Sequence, residues 1–330
     1  TALDPRGGLF VVGTTLSSNF PTTSGAFDTT YSGSRFSDPD LFLSRFSNNG
    51  NLEWSTFIGG SDDETQPNLV VGDSSNVYFT GITNSSDLPT SAGAYKDTLG
   101  GRYDVFLARF DSSGSRRFIT YVGGGVFPRT NGLRFPFNNF QFFGNAPGID
   151  LDTSGNIYVA GEGDGGFSTF FSNDDWPTST GAYQTSSPSR DYYGIARFSD
   201  TGRFDIGSYY FPPNATSFTV FGGLHELEVG PNRVGIVGSF RGRGLPGANG
   251  FATANSQFTY SGYLTEFGLD LDTVLHATYV GGSSNDVVTG LAYAPGGDIW
   301  LVGQTLSGDF PTTANAIQSI LGQNAATIIT

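Results

Sequence analysis

Few side chains in this sequence can do chemistry. There are two histidines, and neither cysteine nor methionine occurs. His225 lies in Leu224-His225-Glu226-Leu227-Glu228, a run that reads as a strand. A His/Glu set lining a channel could hold a metal, but strand alternation sends His225 and Glu226 to opposite faces. His276 reads as a surface residue of an outer strand. Asp150-Leu151-Asp152-Thr153-Ser154-Gly155 matches the start of a D-x-D-x-S-G calcium loop, although Gly161 stands where the twelfth-position Glu belongs. Asp62-Asp63-Glu64, matched later by Asn285-Asp286, is a second acidic cluster. Asp150, Asp152, Asp62, Asp63 and Glu64 are thus candidate calcium ligands. The competing reading is that such acids close turns by bonding their own backbone. No Gly-x-Ser-x-Gly context supports a nucleophilic serine, and no carboxylate pair stands out for glycoside hydrolysis. The expectation is therefore no enzyme and no cofactor, with calcium the one ion considered.

A second kind of candidate is an interaction surface. Gly125 to Ala146 carries Phe127, Arg129, Arg134, Phe135, Phe137, Phe140, Phe142 and Phe143. Two further insertions add Phe170, Phe171, Trp176 and Phe218. Aromatics with arginine are what partner surfaces favour. The alternative is that they fold back over sheet edges. Glycan stacking on Trp176 is a weaker form of the same idea.

These residues must be positioned by something, and the chain shows what it is. The stretch LSSNFPTTSGAF at Leu16 to Phe27 returns as LSGDFPTTANAI at Leu306 to Ile317. Taking the glycine that ends each Val-rich strand as an anchor gives Gly13, Gly81, Gly161, Gly238 and Gly303. Anchors roughly 65–80 residues apart signal a repeat architecture. Each copy has a short strand, a polar turn and a Val-rich strand, followed by a loop with an apolar residue before Pro. A third strand follows, such as DVFLARF at Asp104 to Phe110, and then a fourth, such as ITYVGG ending at Gly124. Four short strands per repeat predict an all-β propeller of four-stranded antiparallel blades, with little or no helix. Four copies are full and the fifth is partial, over approximately 1–66, 67–146, 147–223, 224–286 and 287–330. In this reading the apolar residue before Pro plugs the gap between blades. The threonines after it bond local backbone.

GNIYVAG, DFPTT, the Gly-Ala-Phe/Tyr element, DVFLARFD and STFIGG together resemble the bacterial SBBP ("seven-bladed β-propeller") repeat family. The resemblance implies a secreted or cell-surface bacterial protein.

The fifth copy reaches Ala325 to Thr330, which aligns with a third strand, and no fourth strand follows. Without methionine, Thr1 is not a translation start, so further residues are expected outside this window. Continuation of the chain or strand pairing with another subunit would cover the open edge. The net charge of −14 disfavours nucleic acid, and no apolar stretch is long enough for a transmembrane helix. The function expected is a structural, self-assembling or adhesion module that associates through its incomplete last blade or its Phe-rich face. The alternative is a carbohydrate-active enzyme or glycan-binding lectin.

Overall fold

In a computed structural model of the protein, all regular structure among the described residues is β. Those residues are 1–34, 38–124, 133–134, 141–142, 146–163, 175–186, 192–211, 220–242, 244–250, 259–321 and 326–329.

The strands form antiparallel sheets in strict chain order. The first sheet is β1 (Ala2–Leu3), β2 (Leu9–Thr15), β3 (Asp40–Phe46) and β4 (Leu52–Ile58). The second is β5 (Glu64–Val71), β6 (Val77–Thr83), β7 (Asp104–Phe110) and β8 (Arg116–Gly124). A small hairpin of β9 (Leu133–Arg134) and β10 (Gln141–Phe142) lies in the following insertion. The third sheet is β11 (Gly148–Leu151), β12 (Ile157–Gly163), β13 (Tyr192–Phe198) and β14 (Phe204–Tyr210). The fourth is β15 (Val220–Gly230), β16 (Arg233–Arg241), β17 (Tyr260–Gly268) and β18 (Val274–Val280). The last has three strands, β19 (Asp286–Tyr293), β20 (Ile299–Thr305) and β21 (Ala326–Ile329). Sequence and structure thus agree on four four-stranded units and an incomplete fifth.

Consecutive sheets pack face to face: β2, the second strand of the first sheet, lies on β5, and beyond it first strand packs on first strand, β5 on β11, β11 on β15 and β15 on β19. One continuous core runs between the second, third and fourth sheets and includes Leu107, Tyr158, Tyr193, Leu227 and Tyr263. Another joins the first and second sheets through Leu41, Leu43, Phe79 and Phe106. Among the described residues no extensive strand packing joins the fifth sheet to the first. The outward faces of both are open: Leu3 is 78% and Trp300 51% exposed.

The repeated Phe/Leu/Trp-Pro loop has a different job from the one its sequence suggested. It lies along the outer edge of the fourth strand of its own sheet. Thr23 N–H donates to the Ser55 carbonyl at 3.1 Å, and Phe57 N–H donates to the Asp28 carbonyl at 3.0 Å. The second sheet repeats this with Ser91 to Ile119 and Tyr121 to Lys96, the third with Ser179 to Gly207 and Tyr209 to Gln184. The Thr23 hydroxyl likewise bonds this distant strand and not local backbone, accepting from Ser55 N–H at 3.1 Å and donating to its carbonyl at 3.4 Å. A bare edge row of peptide groups would otherwise invite pairing with another chain.

The apolar residue before Pro is buried in the second, third and fourth copies (Leu88, Trp176 and Leu245) and half-buried in the first and fifth (Phe20 and Phe310). Trp176 is only 3% exposed. A β carbon on Gly194 would lie 2.2 Å from its ring, and one on Gly161 2.8 Å. The glycines that punctuate the Val-rich and third strands thus make the slot for this ring.

Candidate functional site

The predicted calcium ligands make hydrogen bonds within a turn, to a paired strand or to a neighbouring sheet. Asp152 Oδ1 accepts from the N–H groups of Ser154 and Asn156, both at 2.9 Å, as an Asx turn does. Asp150 Oδ2 accepts from Val229 N–H of the neighbouring sheet at 2.7 Å. Glu64 is fully buried; it accepts from Gly60 N–H at 2.9 Å and from the Thr83 hydroxyl at 2.6 Å. Asp62 and Asp63 donate their N–H groups to Ser85 Oγ and Asn84 Oδ1 in the loop leaving the paired strand. Among the described residues no three His, Asp or Glu side chains gather as a metal would need. Sequence spacing alone does not separate these hydrogen-bonding roles from metal binding.

His225 sits at a β-bulge, where the register against β16 shifts between Leu224 and Glu226. The bulge breaks the alternation assumed from sequence. Burial pushes the imidazole down to about 4, so it is neutral at physiological pH. Glu226 Oε2 accepts from Leu291 N–H at 2.7 Å. Glu228 is pushed up to about 7 by burial, with Asp150 and Glu226 nearby. His276 is partly exposed, as its outer-strand position suggested, and its Nδ1 lies 3.5 Å from Glu266 Oε2.

Of the predicted interaction face, Phe127, Arg129, Phe135, Phe137, Phe140, Phe143, Phe170, Phe171 and Phe218 lie outside the described residues. Arg134 and Phe142 fall in the β9–β10 hairpin. Trp176 does not belong to such a face. It is a core residue over Gly161 and Gly194, because the Pro that follows turns the chain back onto its own sheet.

Two further features stand out, of which the first was missed in sequence. One is a polar cleft of about 470 Å³ between the second and third sheets. Its lining includes Asp73, Tyr78, Arg109, Asp150, Asp152 and Asp200. Arg109 lies 5.3 Å from the Tyr78 ring centroid and bonds the backbone carbonyl of Asp200. The cleft opens among the turns joining first to second and third to fourth strands, opposite the insertions where a ligand face was expected. The DSSN and DTSGN turns that line it were visible in sequence, but their convergence across two sheets was not.

The other feature is the pair of open ends. On β20, Trp300 and Val302 are 51% and 40% exposed, while Leu301 and Thr305 on the opposite side are buried against the fourth sheet. In the fifth sheet the Pro loop keeps its turn, with Ala316 N–H donating to the Thr313 carbonyl, but grips no fourth strand. Its Ile317 and Ile320 are fully and 78% exposed.

No family model matches the chain. Regulatory protein FlaEY of Caulobacter vibrioides is 26% identical over 286 residues, covering 81% of this chain. That match spans about a quarter of the relative's own length (26%). A thermostable family-43 glycoside hydrolase structure aligns over 100% of this chain and 92% of its own, with 13% identity and a TM-score of 0.36.

Proposed function

We propose that the protein is a non-enzymatic structural module, a propeller-type array of SBBP-like repeats at a bacterial cell surface, that self-associates through its terminal sheets. The observation that carries this reading is the open fifth sheet. Trp300, Val302, Ile317 and Ile320 are exposed together with a strand edge, whereas in each of the other four sheets the Pro loop runs along the fourth strand. Exposed apolar area beside an unpaired edge favours strand addition. Copies joined end to end through unlike faces would form an open filament and not a closed dimer. Sedimentation velocity over a wide concentration range, with electron microscopy, tests this. Polymers that weaken in Trp300→Ser and Ile317→Ser are expected; a strictly monomeric profile would overturn it.

The polar cleft favours a second reading, glycan binding. Its aspartates, Arg109 and Tyr78 offer acceptors, a cation and a ring to sugar hydroxyls. A glycan array with Arg109→Ala as control distinguishes the two readings.

A further inference from the structure

Two sheets in this chain are entered through the same polar latch, in which the turn leading into the first strand bonds the loop leaving the second strand of that same sheet. Between the first and second sheets, the turn Gly59-Gly60-Ser61-Asp62-Asp63-Glu64 meets Thr83-Asn84-Ser85-Ser86-Asp87. Thr83 donates its hydroxyl to Glu64 at 2.6 Å, Ser85 Oγ accepts from Asp62 N–H at 2.9 Å, and Asp87 Oδ1 accepts from Ser61 N–H at 2.8 Å and its hydroxyl at 3.0 Å. Asn84 N–H closes the set on the Asp63 carbonyl at 3.2 Å.

Between the fourth and fifth sheets, Gly281-Gly282-Ser283-Ser284-Asn285-Asp286 meets Thr305-Leu306-Ser307-Gly308-Asp309 in the same pattern. Thr305 bonds Asp286, Ser307 Oγ accepts from Ser284 N–H at 2.8 Å, and Asp309 Oδ1 accepts from Ser283 N–H at 2.8 Å. Leu306 N–H donates to the Asn285 carbonyl at 2.9 Å.

Among the described residues, the first sheet carries the receiving half of this latch without a donor. Thr15-Leu16-Ser17-Ser18-Asn19 occupies the same place in its sheet, just after the second strand. Its internal hydrogen bond is already made: Ser17 N–H donates to Thr15 Oγ1 at 3.0 Å, as Ser85 does to Thr83 at 3.0 Å and Ser307 to Thr305 at 2.9 Å. Leu16, Ser17 and Asn19 are exposed, whereas Ser85 and Ser307 are buried. The Gly-Gly turns at 59–60, 123–124 and 281–282 are spoken for by Asp87, Asp175 and Asp309.

We propose that Thr15–Asn19 is a docking socket for a Gly-Gly-Ser-x-x-Glu/Asp turn carried by a repeat sheet outside this chain. The partner is defined by chemistry. It brings a carboxylate for the Thr15 hydroxyl, a peptide N–H for Ser17 Oγ, a serine for the Asn19 side chain, and a carbonyl for Leu16 N–H. The socket is preorganised, so binding does not have to order it first. This inference does not depend on self-association through the fifth sheet.

The register is known well enough to supply the turn in cis. Leu3 pairs with Leu9 as Val71 pairs with Val77, so a copy of residues 52–68 placed directly before Thr1 continues β1 in frame. Hydrogen exchange read by mass spectrometry over residues 14–20 is expected to slow on the order of tenfold or more. The protection should vanish when the grafted acid is replaced by alanine, and in Thr15→Val/Ser17→Ala. Unchanged exchange, or protection indifferent to those substitutions, would overturn the proposal. Protection in the unextended chain that rises with its concentration would also overturn it, by making a second copy the occupant. Disulfide trapping is the check that does not depend on the graft folding. Leu16→Cys, in a chain otherwise free of cysteine, should capture a peptide of residues 58–68 bearing Asp63→Cys, and fail to do so when its Glu64 is alanine.

Discussion

Glu64→Gln should flatten the pH dependence of stability. The carboxyl is fully buried between two sheets and accepts from Gly60 N–H and from the Thr83 and Ser85 hydroxyls. Asp40 crowds it: a β carbon on Gly59 would lie 2.5 Å from Glu64 Oε2 and 2.6 Å from Asp40 Oδ1. Burial, aided by that neighbour, pushes Glu64 up to about 8 from 4.5, while burial pushes Asp40 up to about 6. The folded state therefore holds protons that the unfolded chain releases. The stabilisation is complete below the unfolded value and is lost as pH rises through the folded one. From 4.5 to about 8 this is at most about 5 kcal/mol at about 1.4 kcal/mol per pH unit. A glutamine keeps the acceptor oxygen for Thr83 and never ionises. Urea unfolding midpoints of the two proteins should coincide near pH 5 and diverge by pH 8, with the variant the more stable and m unchanged. Parallel curves across that range would refute the reasoning.

Three further substitutions probe the packing and the covered edge. Trp176→Ala should cost about 3–5 kcal/mol and Gly194→Ala about 1–3 kcal/mol. Because the added methyl meets that ring, a double-mutant cycle by urea unfolding should show strong coupling, and additive costs would contradict the contact. Thr56→Val removes the hydroxyl that accepts from Asp28 N–H at 2.8 Å and donates to its carbonyl at 2.9 Å. A loss of about 1–3 kcal/mol is expected, with faster amide exchange along residues 52–58.

Strand type, order and the incomplete fifth unit were all legible in the chain. A two-residue alternation and a repeated turn are local properties, and five anchor glycines from Gly13 to Gly303 display them openly. What the acids do was not legible. Asp150, Asp152 and Glu64 have the residue types of calcium ligands, and only the folded structure shows Val229 of the neighbouring sheet bonding Asp150 and Thr83 of the paired strand bonding Glu64. Trp176 reads equally as a sugar platform or as a core ring until Gly161 and Gly194 are seen beneath it. The same holds for LSSNFPTT and LSGDFPTT. Local sequence dictates the turn that both share, but whether Ser17 or Ser307 is exposed depends on which sheet stands beside it. That is a contact between residues far apart in the chain, and tertiary structure alone decides it.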